Sequence, residues 1–147
     1  MAVHYNFADL FELAVDKVPN RTAIIDDRRR TTYAELEERS NRMAHALLAA
    51  GVKAGDHVGI YAQNCIEWVE AKWAVYKIRA SVVNVNFRWT EAELRYIFDN
   101  SDMTAVVYQA EYEPLVAKAR DAQPALRGFF RIDDGTPPSG LLPEAQD

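Results

Sequence analysis

The sequence is poor in the residues from which a self-contained active site is usually built. It has one cysteine, Cys65, in 147 residues, which excludes an internal disulfide and fits a reducing compartment. No histidine or lysine stands beside Cys65 to activate its thiol, so it reads as a core cysteine. The three histidines, His4, His45 and His57, show no metal-ligand spacing, and no metal site is expected. No serine or cysteine lies in a Gly-x-Ser-x-Gly turn, so a nucleophile elbow is excluded. No apolar run approaches membrane-span length, and the start of the chain lacks a basic-then-apolar leader pattern, so a cytoplasmic location is expected. Lys and Arg number 17 against 22 Asp and Glu, a net charge of −5. Nucleic acid is therefore not an expected partner, because phosphate binding needs clustered positive charge. The one basic run, Arg28-Arg29-Arg30, follows Asp26-Asp27 and reads as a solvated turn.

What the chain does have is an alternation of helix-period and strand-like segments, and half of it is apolar, enough for a core. Asn6 is placed to cap a first helix with Phe7, Leu10, Phe11, Ala14 and Val18 on one face, stopped by Pro19. After a short apolar piece, Ala23-Ile24-Ile25, the pair Thr32 and Glu35 forms a capping box. The helix behind it carries Tyr33, Leu36, Met43, Ala44, Leu47 and Leu48, with Gly51 placed to end it in the left-handed conformation. His57–Tyr61, Ser81–Val85, Thr104–Tyr108 and Gly128–Ile132 read as strands. Between them, helices are predicted behind Asn64 and Glu67, behind a second capping box at Thr90 and Glu93, and from Tyr112 to Ala122. Strands joined by helical crossovers predict a three-layer α/β fold, a mostly parallel sheet with helices on both faces. Residues 1–133 form that unit. Residues 134–147, with Gly135, Pro137, Pro138 and Gly140, carry turn chemistry and are expected to be a flexible tail or the start of a linker.

The glycines do not suggest a phosphate loop. Gly51, Gly55 and Gly59 run from a helix end into a strand, the reverse of the polarity that lets backbone N–H groups converge on an anion. The helix starts at Asn64 and Thr90 follow strands, where open α/β sheets place ligands, but each is expected to be occupied by its own cap. Glu67, Glu91 and Glu93 suit the first-turn dipole. Trp68, Lys72, Trp73, Lys77, Arg79 and Trp89 mix aromatic and basic character. A core-facing Trp73 with lysines snorkelling beside it explains them better than a membrane-resting surface, so membrane contact is at most peripheral.

Three stretches in order, "TTYAELEERSNRMAHAL", "GVKAGDHVGIYAQNCIEWV" and "VNVNFRWTEAELRYIFDNSDMTAVV", resemble the opening of the adenylate-forming superfamily. That superfamily includes acyl-CoA synthetases, aryl-CoA ligases, luciferases and peptide-synthetase adenylation domains. The last stretch most resembles the fatty-acid and sterol side-chain CoA ligases of actinobacteria, and the resemblance covers residues 3–133. It implies a parent that activates a fatty or sterol side-chain acid with ATP and Mg and passes the acyl group to CoA. It also implies that the family's catalytic motifs are missing. The Ser/Thr/Gly-rich phosphate loop ending in Pro-Lys, the acidic ribose ligand and the distant catalytic lysine have no counterpart before Asp147. No catalytic, cofactor-binding or metal-binding residue is therefore assigned, and this chain alone is expected to hold no cofactor and to be inactive.

By the same resemblance, the region from Tyr61 to Trp73 packs beside the acyl tunnel. Asn86, Phe87, Arg88 and Trp89 match a turn that often has proline at the place of Phe87. Asn64, Trp68, Asn86 and Arg88 are thus the candidates to lie just behind the substrate, although cap and turn roles explain the same residues. Two further functions stay open. One is a short binding module that self-associates or complements another chain through an unfinished sheet edge. The other is an independent α/β domain that binds a small molecule.

Overall fold

A computed structural model describes residues 6–147; His4 lies outside them. Four strands form one parallel sheet in the order β4-β3-β5-β6, with β3 at His57–Tyr61, β4 at Ser81–Val85, β5 at Met103–Gln109 and β6 at Gly128–Ile132. A parallel strand must be reached by a crossover, and each crossover here is helical: α3 (Ile66–Lys77), α4 (Glu91–Asn100) and α5 (Glu113–Ala119). Successive side chains point to opposite faces of the sheet. Val58, Ile60, Ala105, Val107, Phe130 and Ile132 meet α2 (Tyr33–Ala49) and α3 on one face. Tyr61, Val106, Tyr108 and Phe129 meet Leu94 and Phe98 of α4 and Val116 and Ala119 of α5 on the other. The expected three-layer arrangement is present.

The caps explain where most helices begin. In α1 (Phe7–Lys17) Asn6 accepts from Ala8 N, and Asp9 accepts from Asn6 N to close a capping box. Thr32 with Glu35 and Thr90 with Glu93 close the two boxes read from sequence. Caps of this kind are worth about 1 kcal/mol each. At α3 the reading is corrected. The capping residue is Cys65, without a side-chain cap bond, and Asn64 lies one position too early. Glu67 turns instead toward Arg28 and Arg29, at 3.0 Å from each.

That pairing belongs to an element the sequence did not announce. β1 (Thr22–Ile25) and β2 (Arg30–Thr32) form an antiparallel hairpin. Asp26 turns it by accepting from the N–H groups of Arg28 and Arg29, both at 2.8 Å. Those bonds, that of Arg29 first, hold the Asp26 carboxyl below its ordinary range. The arginine run is therefore tied to α3 and is not simply solvated. The helix expected over 112–122 is α5 flanked by 3-10 turns at 110–112 and 120–122. Residues 134–147 contain neither helix nor strand, yet Leu142 is buried and Gln146 bridges Phe130 of β6.

Gly51 ends α2 with φ +85. Val52 N bonds Leu47 O at 3.1 Å and Gly51 N bonds Leu48 O at 2.9 Å, the paired bonds of a Schellman ending. Gly128 serves close packing, because a Cβ there would stand 2.8 Å from the Cβ of Ala105 on the neighbouring strand.

Candidate functional site

In open parallel sheets ligands gather where the strands end. Here the loops after β3, β5 and β6 are tied together by polar side chains. Gln63 N donates to Gln109 Oε1 at 2.6 Å, and Gln63 Nε2 donates to Glu111 Oε1 at 2.9 Å and to the Tyr112 hydroxyl at 3.0 Å. Glu111 N in turn donates to Asp134 Oδ2 at 3.0 Å. Beside this lattice opens a cleft of 340 Å3 lined by Asp26, Asp27 and Arg28 of the hairpin and by Gln63, Asn64, Cys65, Gln109, Ile132, Asp133 and Asp134. Burial pushes the Cys65 thiol up, so it is a poor nucleophile at neutral pH.

The four residues singled out from sequence do not converge. Asn64 is exposed and lines the cleft. Trp68 packs half-buried against the core on the α2–α3 face, with the Lys72 ammonium 5.6 Å from its ring centre. Asn86 follows β4 and accepts from Arg88 N at 3.0 Å, a turn role. The Arg88 guanidinium lies 5.3 Å from the Phe87 ring centre. Gln63, Gln109 and Asp134 were missed by sequence reasoning. Their only signal is a polar side chain at, or two positions past, the end of an apolar strand.

Nothing in the cleft is built to cradle a triphosphate. The strand-to-helix loops at 62–65 and 86–90 contain no glycine, and four carboxylates border the opening. Among the described residues no group of three or more His, Cys, Asp or Glu is placed to hold a metal ion. The residues present therefore do not fit ATP or its metal. No helix among the described residues is long and apolar enough to cross a membrane.

A second opening, of 370 Å3, lies on the α2–α3 face near β6. Its floor is Val107, Phe130 and Ile132, its wall Met43, Ala46 and Ala71, and Gln146 and Asp147 sit in it. The floor residues are themselves buried, and charged side chains, Arg39, Arg42, Glu67 and Glu70 among them, rim the opening.

The profile of the family described as AMP-binding enzyme matches residues 11–147. The chain belongs to this family. Among AMP-binding enzymes it is 52% identical over 131 residues to a 3-oxocholest-4-en-26-oate--CoA ligase of Rhodococcus rhodochrous, covering 89% of this chain and 24% of that protein. It is 47% identical over 136 residues to a medium/long-chain-fatty-acid--CoA/3-oxocholest-4-en-26-oate--CoA ligase of Mycobacterium tuberculosis, covering 92% and 25%. The chain thus spans about a quarter of the length of these curated relatives. Among solved structures, a putative long-chain-fatty-acid CoA ligase of Rhodopseudomonas palustris superposes with a TM-score of 0.84 at 31% identity, covering 91% of this chain and 34% of that one. The fold is that of the corresponding part of an AMP-binding CoA ligase.

Proposed function

We propose that this chain is the amino-terminal unit of an ATP-dependent ligase that joins a fatty or sterol side-chain acid to CoA. The identity to the Rhodococcus enzyme over 131 residues carries the reading. In the whole protein the substrate carboxylate attacks the α-phosphate of ATP, forming acyl-adenylate and releasing pyrophosphate. The CoA thiol then displaces AMP. ATP, Mg and CoA are held by parts of the ligase other than this unit, which works in the cytoplasm as scaffold and is inactive alone.

The decisive experiment replaces the matched segment of the Rhodococcus ligase with this chain. AMP release that needs both acid and CoA is expected from the chimera and none from the isolated chain. A folded but inactive chimera, or acid-dependent AMP release by the chain alone, overturns the reading. Within it, Asn64, Trp68, Asn86 and Arg88 flank the acyl path. Alanine at each is expected to raise the KM for the acid with little change in kcat; unchanged kinetics at all four would return them to cap and turn roles.

A second reading, a module that associates with another polypeptide, is favoured by the opening beside β6. Both readings need a partner surface, and they differ in whether that partner is covalently continuous.

A further inference from the structure

Packing accounts for most of the aromatic and basic residues that stand together in the sequence around α3. Trp73 stacks on Phe11 of α1, with ring centres 4.4 Å apart. Lys77 is held between Glu12 and Glu37, Arg79 pairs with Asp9 at 2.7 Å, and Trp89 packs against the α4–α5 core. Trp68 and Lys72 are left, half-buried on α3 and one turn apart, with Tyr76 one turn further on. The Lys72 ammonium lies 5.6 Å from the Trp68 ring centre and 5.8 Å from that of Tyr76.

α1 continues this face. Helical spacing sorts its residues into stripes. Ala8 and Phe11 turn inward and are buried. Asp9, Glu12 and Asp16 share one flank, where Arg79 and Lys77 hold the first two. Phe7, Leu10, Leu13 and Lys17 share the outward side. There Phe7 is 66%, Leu10 54% and Leu13 53% exposed, so α1 is apolar toward solvent as well as toward the core, which core packing does not require. The Phe7 ring lies 5.7 Å from that of Tyr76, which joins this stripe to Lys72. Among the described residues neither Lys17 nor Lys72 makes an ion pair, although the cations beside them do.

We infer that the outward side of α1, with Lys72 and Tyr76 of α3 beside it, docks on the surface of an anionic lipid bilayer. Phe7, Leu10 and Leu13 enter the boundary between headgroups and acyl chains, and Tyr76 sits at headgroup level, where its apolar ring and polar tip are both satisfied. Lys17 and Lys72 meet lipid phosphates. An apolar face whose free charges are both positive is complementary to anionic headgroups and not to a second copy of itself. The contact is peripheral, since no helix among the described residues is long and apolar enough to cross a membrane. The inference stands on this face and goes beyond the ligase reading above.

The test is flotation of this chain, and of the Rhodococcus chimera, with vesicles of phosphatidylcholine and phosphatidylglycerol in equal parts or of phosphatidylcholine alone. Binding to the mixed vesicles is expected, about tenfold tighter than to phosphatidylcholine. Lys17→Ala with Lys72→Ala should weaken it about twentyfold, and Leu10→Asp with Leu13→Asp about tenfold. The two leucines are exposed, so the fold survives their change, which an unaltered circular dichroism spectrum checks. Tyr96→Ser, exposed on α4, should leave binding unchanged. No flotation, or flotation indifferent to either pair of substitutions, overturns the inference. So does a dimer through the same leucines in place of vesicle binding, or a chimera that stays off vesicles to which the chain alone binds, because the face is then covered in the whole ligase. Should the isolated chain not fold, the chimera decides by itself. An active chimera that never floats sinks this inference alone, and an inactive one that floats with both dependences sinks the ligase reading alone.

Discussion

The two ends of the parallel sheet are held by different means. At the amino-terminal ends of the strands the joints are short and largely backbone to backbone. Gly55 N bonds Arg79 O at 2.9 Å, Ser81 N bonds Asp56 O at 2.8 Å and Arg127 N bonds Thr104 O at 3.0 Å. Residues at positive φ follow three of the four helices that lead into sheet strands: Gly51 after α2, Arg79 at φ 61 after α3 and Asp102 at φ 51 after α4. At the carboxyl-terminal ends the loops are held chiefly through side chains, Gln63, Gln109, Glu111 and Asp134 among them. The first end rests first on groups every residue owns, with side chains such as His57, bonded to Ser101 O, and Arg127, bonded to Gly51 O, added to them. The second depends on particular side chains, and so can be rewritten by substitution without dismantling the sheet.

Four positions bear on this contrast. The largest effect is expected at Glu113, which is fully buried and accepts from Ser139 Oγ at 2.6 Å and from Arg131 Nη1 at 3.1 Å. Glu113→Ala leaves the half of the Arg131 guanidinium not held by Asp147, and the Ser139 hydroxyl, without their buried acceptor, and should cost about 3 kcal/mol in chemical denaturation, making one side chain of the carboxyl end as costly as a core residue. Burial pushes the Glu113 carboxyl up, but Ser139, Arg131 and the Leu142 N–H together hold it below its ordinary value of 4.5. The sign follows. Its contribution is complete above the unfolded value and is lost as pH falls through the lower folded value. Acid titration followed by exchange at residues 139–142 should show their release there, and Glu113→Gln should remove that step.

Next comes Gly128→Ala, which inserts a methyl 2.8 Å from Ala105 Cβ. Overpacking of this kind costs about 2 kcal/mol, read as a lower denaturation midpoint, and an unchanged midpoint would mean the start of β6 is looser than its backbone bonds imply. Gln109→Ala removes the acceptor for Gln63 N at an exposed position. Its cost should be about 0.5 kcal/mol, with faster exchange confined to the loop after β3. The smallest effect has the opposite sign. Asp102→Gly relieves a left-handed aspartate and should raise the melting temperature, by about 0.5 to 1 kcal/mol in stability.

The same contrast governs what could be read beforehand. The boxes at Thr32 and Thr90 are local, three residues from cap to carboxylate, and periodicity carries the helices behind them. At Asn64 the same spacing misled, because Glu67 is engaged by arginines nearly 40 residues away. Gly51 was legible as a left-handed residue from its type, whereas Arg79 adopts that conformation with no residue type to announce it, and Asp102 with only aspartate's limited tolerance of it. The hairpin at 22–32 escaped because strands of four and three residues carry too little alternation. At the candidate site, Asn64 was named from resemblance. Its neighbour Gln63 bonds Gln109 across 46 positions, a separation that no local pattern encodes.

The strand order also has a bearing on synthesis. Every pairing in the sheet joins β3 or β5 to a strand one or two crossovers away, so each newly made strand meets a finished neighbour. Translation at about 5 to 20 residues per second spends seconds on each crossover, and domains generally fold as units, beginning with the first made. This sheet is thus suited to assembling from its first-made strands outward while the ribosome is still at work, with β6 last to join. Its outer edge is closed in turn by the bridge from Gln146, translated later still, and chaperone demand should be greatest in the interval before that bridge forms.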